Sequence, residues 1–127
     1  MIRIACLVDT WVWIEYWKYP VSDARDIIES GDDLFISALT IAEVAQKYSG
    51  DGKKMVETRI DDMLTRCTLI PVDQKIATMA GMIRNREIHG GIADAIILAT
   101  AKIHNLTIVT GDQHFRDLAG VVFIGHP

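Results

Sequence analysis

The sequence predicts an α/β fold: a central, mostly parallel sheet of four to five strands with helices on both faces. Short runs of branched apolar residues, such as Leu34–Ser37 (LFIS) and Leu106–Thr110 (LTIVT), are apolar on both sides in the manner of central parallel strands. Between them lie longer segments of helical period, and strands that alternate with such helices imply right-handed crossovers. Half of the 127 residues are hydrophobic, enough for a substantial core in a single domain spanning 1–127.

Ile2–Val8 reads as the first strand and stops at Asp9. The segment after it carries Trp11, Trp13, Tyr16 and Trp17 and reads as an aromatic helix, for which Asp9 is a natural cap. Trp13 and Trp17 share a face at i and i+4, with Trp11 and Tyr16 elsewhere, so one core-facing stripe cannot bury them all. Either a partner covers the remainder or a large core absorbs it. Val21–Ser30 is helical, Gly31-Asp32-Asp33 a turn, and Leu34–Ser37 the second strand. Thr40–Tyr48 is the next helix, and Thr40-Ile41-Ala42-Glu43 matches a capping box with Thr40 at the N-cap. After the turn Ser49–Gly52 come a helix over Lys53–Cys67 and a strand over Leu69–Val72, with Pro71 at its margin. Helices over Asp73–Glu87 and Ile92–His104 flank the turn His89-Gly90-Gly91. Leu106–Thr110 is the next strand, Gln113–Leu118 a short helix capped by Asp112, and Val121–Ile124 the last strand. Nothing reads as an interdomain linker, an internal repeat or a low-complexity segment.

Lys and Arg total 13 against 17 Asp and Glu, and a net charge of −4 argues against holding nucleic acid by bulk positive charge. A local basic rim is still open. Lys47, one turn beyond Glu43, and Arg116, just after Asp112, have a positional reason to supply it, with Lys53 and Lys54 nearby. Cys6 and Cys67 read as small buried residues and not as a disulfide framework, which suits a reduced cytosol. The N-terminal apolar run is too short for a secretory signal and meets an acid. The longest apolar stretch, Ile92–Ile103, contains Asp94, Thr100 and Lys102 and falls short of the roughly 20 residues that span a bilayer. A cytoplasmic protein with no membrane partner is expected.

Function enters through the acids. Asp9 and Asp112 follow strands, Glu43 lies in the first turn of the helix after LFIS, and Asp94 lies in the first turn after Gly90-Gly91. Three of the four thus stand just past the carboxyl end of a strand, the edge of an open α/β sheet where ligand sites form. Singly, each has a helix-capping or dipole explanation. Together they would repel one another unless a cation sat among them. Hard oxygen donors point to Mg2+ or Mn2+ and away from zinc, and the usual work of such a site is phosphoryl chemistry. The four histidines have no metal-like spacing, and His114 reads as a helix-surface residue.

The order VDT, TIAEV, ADAIILATA and TIVTGDQHF resembles the PIN domain, and the small size resembles the VapC toxin branch of type II toxin-antitoxin systems. The resemblance covers nearly the whole chain. It implies a three-layer α/β/α sandwich and a metal-dependent endoribonuclease that hydrolyses RNA phosphodiester bonds with a metal-activated water. Carried over by position, Asp9, Glu43, Asp94 and Asp112 match the acidic metal site, Thr10 the small hydroxyl residue beside the first acid, and Thr110 the hydroxyl two before the last; Thr10 and Thr110, with Lys47 and Arg116, are expected to contact the substrate. The resemblance also implies a VapB-like antitoxin whose C-terminal segment lies over the early helices and blocks the pocket. An apolar, aromatic-rich first helix further predicts a homodimer and an antitoxin contact at Trp11 or Trp13. Two departures stand out: Gly111 replaces a larger polar or basic residue, and HGGIAD has no basic residue nearer than Arg84 and Arg86. A catalytically silent PIN-like module that binds RNA or protein is the alternative. A receiver-like signalling domain fits less well, because Asp9 lacks a paired acid and no lysine follows LTIVT. A haloacid dehalogenase-like phosphatase fails, because position 11 is Trp where a second Asp is needed.

Overall fold

The structure is a computed structural model that describes residues 3–126. The strands form where branched apolar runs occur: β1 (Ala5–Val8), β2 (Asp33–Ser37), β3 (Thr68–Ile70), β4 (Thr107–Thr110) and β5 (Val121–Phe123). All neighbours pair in parallel, in the order β3-β2-β1-β4-β5. The chain winds one way from β1 to β3 and the other way through β4 and β5. The crevice where ligands gather in such sheets therefore lies at the carboxyl ends of β1 and β4.

Helices α1 (Thr10–Lys18), α2 (Asp23–Ile28), α3 (Ala38–Tyr48), α4 (Lys53–Arg66), α5 (Gln74–Ile83) and α6 (Ile92–His104) cover the sheet. Strand alternation divides the apolar residues between two cores. Leu7 and Ile108 pack with Ile76, Ala80, Ile97 and Leu98 of α5 and α6. Cys6, Val8, Ile36 and Val109 pack with Val12, Trp13, Val44 and Met63 on the opposite face. The expected three-layer α/β/α architecture follows, with the sheet at its upper expected size and wholly parallel.

Several boundaries move, each for a local reason. Ile2 lies outside the described residues, and β1 begins at Ala5. The helix expected to reach Glu87 ends at Ile83, where Asn85 takes a positive φ of 67° and an Arg84–Ile88 bridge closes the turn. The expected helix Gln113–Leu118 is a single 3-10 turn, Gln113–Phe115. The capping box at Thr40 is overturned. β2 runs directly into α3, so Ser37 is the N-cap and its Oγ accepts the Leu39 N–H at 3.0 Å. Thr40 is then one turn too deep to cap, and its side chain is fully buried.

The aromatic helix is largely absorbed by the core. Trp13 is completely buried and Tyr16 nearly so. Trp17 donates its indole N–H to Asp62 at 2.8 Å and packs on Trp13 and Tyr48. The exposed aromatic face allowed by the sequence reduces to Tyr19 and parts of Trp11 and Trp17, and completely buried Trp13 cannot meet an antitoxin. Both cysteines are free thiols, and burial pushes Cys6 up to about 11 and Cys67 to about 12. Among the described residues no helix is long and apolar enough to cross a membrane.

Candidate functional site

β1 delivers Asp9 to the crevice as it ends. Asp9 occupies the N-cap position of α1 but makes no side-chain cap bond; its Oδ2 instead accepts the Thr110 hydroxyl at 2.7 Å. The same hydroxyl oxygen accepts the Asp112 N–H at 3.0 Å. One buried threonine at the end of β4 thus ties both strand-end acids in place, across 101 residues of sequence. Asp112 also caps the 3-10 turn, accepting the His114 N–H at 2.9 Å.

Glu43 comes from the second turn of α3. The Thr10 hydroxyl donates to its Oε1 at 2.8 Å and lies 3.1 Å from Thr40 Oγ1. Glu43 is therefore aimed by Thr10 and not engaged in a helix cap. Asp94 comes from the first turn of α6, with the backbone of buried Gly90 packed against its carboxylate. A Cβ at Gly90 would overlap Asp94 Oδ2, so this glycine makes the space the acid occupies.

These side chains meet in a pocket of about 140 Å³ lined by Asp9, Thr10, Trp11, Glu43, Ala93, Asp94, Ile97 and Asp112. A larger groove of about 570 Å³ along α5 contains no acid and offers no comparable chemistry. Residues 6–121 match the PIN domain family. The chain belongs to that family. It is similar to Toxin FitB of Neisseria gonorrhoeae, 33% identical over 92 residues that span 64% of this chain and 66% of the toxin. Among solved structures it resembles a toxin-antitoxin complex from Klebsiella pneumoniae, with 28% identity, a TM-score of 0.80, and coverage of 96% of this chain and 99% of the other. FitAcB from Neisseria gonorrhoeae aligns at 26% identity with a TM-score of 0.70, over 94% of this chain and 96% of the other.

The pocket of this PIN domain is short of positive charge. Burial, aided by the charges of Glu43 and Asp112, raises the Asp9 pKa from 3.8 to about 6, although the bond from Thr110 opposes the shift. Asp94 is raised too, by burial and by Asp112, against the favourable effect of His114. Among the described residues, no lysine or arginine lines the pocket. Crowded carboxylate oxygens, with the charged forms of Asp9 and Asp94 disfavoured by burial, are the hard donor chemistry a divalent cation relieves, so the residues present fit Mg2+ or Mn2+.

The basic rim expected from sequence does not reach this pocket. Lys47 is exposed on α3 and is not among its lining residues. Arg116 lies over the Phe123 ring, 5.3 Å from its centroid, and reaches Gln113 Oε1 at 3.3 Å. Thr110, expected to touch substrate, is completely buried, and its hydroxyl serves Asp9 and Asp112. The glycine at 111 has a steric cause: a Cβ there would run into the Trp11 ring. Trp11 itself forms part of the pocket wall and meets His126 edge-on.

Sequence reasoning set His114 aside as a surface residue. Its Nδ1 lies 2.8 Å from Asp94 Oδ2 and 3.2 Å from Asp112 Oδ1, bridging two of the acids. The spacing Asp112-Gln113-His114 was a faint signal, because an aspartate that accepts the N–H two residues on folds that residue back towards its carboxylate.

Proposed function

We propose that the chain is a metal-dependent endoribonuclease and the toxin of a toxin-antitoxin pair. One observation carries the reading: Asp9, Glu43, Asp94 and Asp112, from four separate segments, line one pocket at the switch point of the sheet with no lysine or arginine among them. Asp9, Asp94 and Asp112 would hold a Mg2+ or Mn2+ ion directly or through water, with Glu43 as a further ligand or the group that orients the attacking water. The ion supplies charge neutralisation for the phosphate and a more acidic water for in-line attack.

The chain's own residues do the rest. Thr110 and Thr10 lock the carboxylates of Asp9 and Glu43, so little rearrangement is needed when the pocket is filled. Ala93, Ile97 and Trp11 supply an apolar wall that limits water around the acids. Family membership and the likeness to toxin-antitoxin assemblies support a VapB-like antitoxin as partner; a homodimer of the chain is part of the same proposal.

The test is cleavage of single-stranded RNA by the purified chain. Cutting should require Mn2+ or Mg2+ and stop in EDTA. Asp94→Asn should reduce it by two orders of magnitude or more, in line with the roughly 3 to 4 kcal/mol of a typical active-site electrostatic contribution. Full-rate cleavage in EDTA would overturn the mechanism. RNA binding without cleavage under any ion would identify a silent scaffold.

A further inference from the structure

We propose that His114 is a direct ligand of the divalent ion and that it biases this site towards Mn2+ over Mg2+. The inference rests on the metal-site reading above and goes beyond it, because the imidazole adds a nitrogen donor to a set otherwise made of oxygen.

The geometry comes from three local causes. The Asp112 carboxylate accepts the His114 backbone N–H, so Oδ1 and the ring are held on the same side of the turn. Gly90 lets the Asp94 carboxylate settle against the loop, which brings Oδ2 to the same ring nitrogen. The result is one donor atom each from Asp94, Asp112 and His114, all within 4.8 Å of one another. Asp94 and Asp112 line the pocket, and His114, outside that lining and with its side chain 54% exposed against 18% for Asp94, reaches their carboxylates from the solvent side.

Three donor atoms thus stand together, two on half-buried acids and one on an exposed imidazole. Nδ1 stands 2.8 and 3.2 Å from the two carboxylates; as a ligand it would offer its lone pair to the ion, with the ring proton carried on Nε2. Mg2+ demands oxygen ligands in a tight octahedron and gives up water reluctantly, so an imidazole adds little to its binding. Mn2+ accepts imidazole readily and tolerates looser geometry. Position 114 therefore sets ion preference, while the acids set the capacity to bind an ion at all.

The opposite role is also physically defined. If His114 only neutralises Asp94 and Asp112, it competes with the ion, and removing it should tighten binding.

Titration of the metal-free full-length chain with Mn2+ and with Mg2+, by calorimetry and by the resonance signal of free Mn2+, separates these roles. His114→Ala should weaken Mn2+ binding by at least about tenfold. Mg2+ binding should change by no more than about twofold. Pulsed electron resonance of the Mn2+-loaded wild type should show a directly bound nitrogen that is absent in His114→Ala and in His114→Gln. Melting curves of both variants without metal check that they remain folded. Tight Mn2+ binding with an all-oxygen spectrum, or tighter Mn2+ binding by His114→Ala, would overturn the ligand assignment and leave the acidic site standing. Wild type that binds neither ion would overturn both.

Discussion

Two small residues set the acid pocket. Thr110 spends one hydroxyl on two acids, and Gly90 contributes only the absence of a side chain. Gly90 lies outside the left-handed backbone region, so alanine there suffers no backbone strain; the conflict is with the Asp94 carboxylate alone. Gly90→Ala should therefore displace Asp94 and lower RNA cleavage by roughly 10²-fold, the scale of a 1 Å misplacement in an active site. Its melting temperature should stay close to that of wild type. Kinetics and a thermal melt on the same preparation check both parts, and wild-type cleavage would show that the loop yields and the acid does not move. The sequence marked Gly90 as a turn residue only, because a turn glycine and a glycine that makes room for a distant side chain look identical in one dimension.

At the scale of the element, α1 shows how a pattern can be read correctly and still leave its outcome open. The i, i+4 pairing of Trp13 and Trp17 is real, but the rings that the stripe could not bury against the sheet are taken up by α4 and Tyr48. Arg59 adds its guanidinium over both the Trp17 and Tyr48 rings, at 4.9 and 5.2 Å from their centroids. Of the three tryptophans, Trp11 alone lines the acidic pocket. An antitoxin segment that blocks the pocket should therefore change the fluorescence of Trp11 and leave the other two unaffected. Titrating the cognate antitoxin tail into wild type and Trp11→Phe checks this; an equal response from both proteins would place the partner elsewhere. Trp11 also accounts for Gly111, since the ring occupies the space a larger residue would need.

Over the whole molecule, the acids act on stability as a group. Asp9 has a folded-state pKa of about 6 against an ordinary 3.8, so the folded state binds a proton that the unfolded chain has already lost in that interval. Its contribution is complete below the unfolded value and disappears as pH rises through about 6. Asp94 is raised as well and acts in the same direction. Metal-free protein should thus lose roughly 2 kcal/mol through Asp9 between pH 4 and 7. Asp9→Asn, in which the amide oxygen still accepts from Thr110, should escape that loss. In EDTA the variant should gain on wild type steadily as pH rises across this range, as denaturant melts at several pH values would measure. A constant difference between the two would mean that Asp9 is not strained by burial.

By itself the sequence determined the layers, the strand positions and the four acids, because these are written in short-range patterns: apolar runs of strand length, helical periods between them, and carboxylates where the runs stop. The resemblance carried by those same short motifs led to the right family. Tertiary structure alone decided the rest. Ser37 replaces Thr40 as the cap of α3 because β2 enters the helix without a loop. Thr110 faces Asp9 because β1 and β4 are neighbours in a register that pairs Val8 with Val109. Arg116 turns to Phe123, and His114 turns to Asp94 and Asp112, although they stand two residues apart in the chain. The direction a side chain takes at the end of a strand depends on what the neighbouring strand and the opposing helix bring to it, and that information is spread over more than a hundred residues of separation.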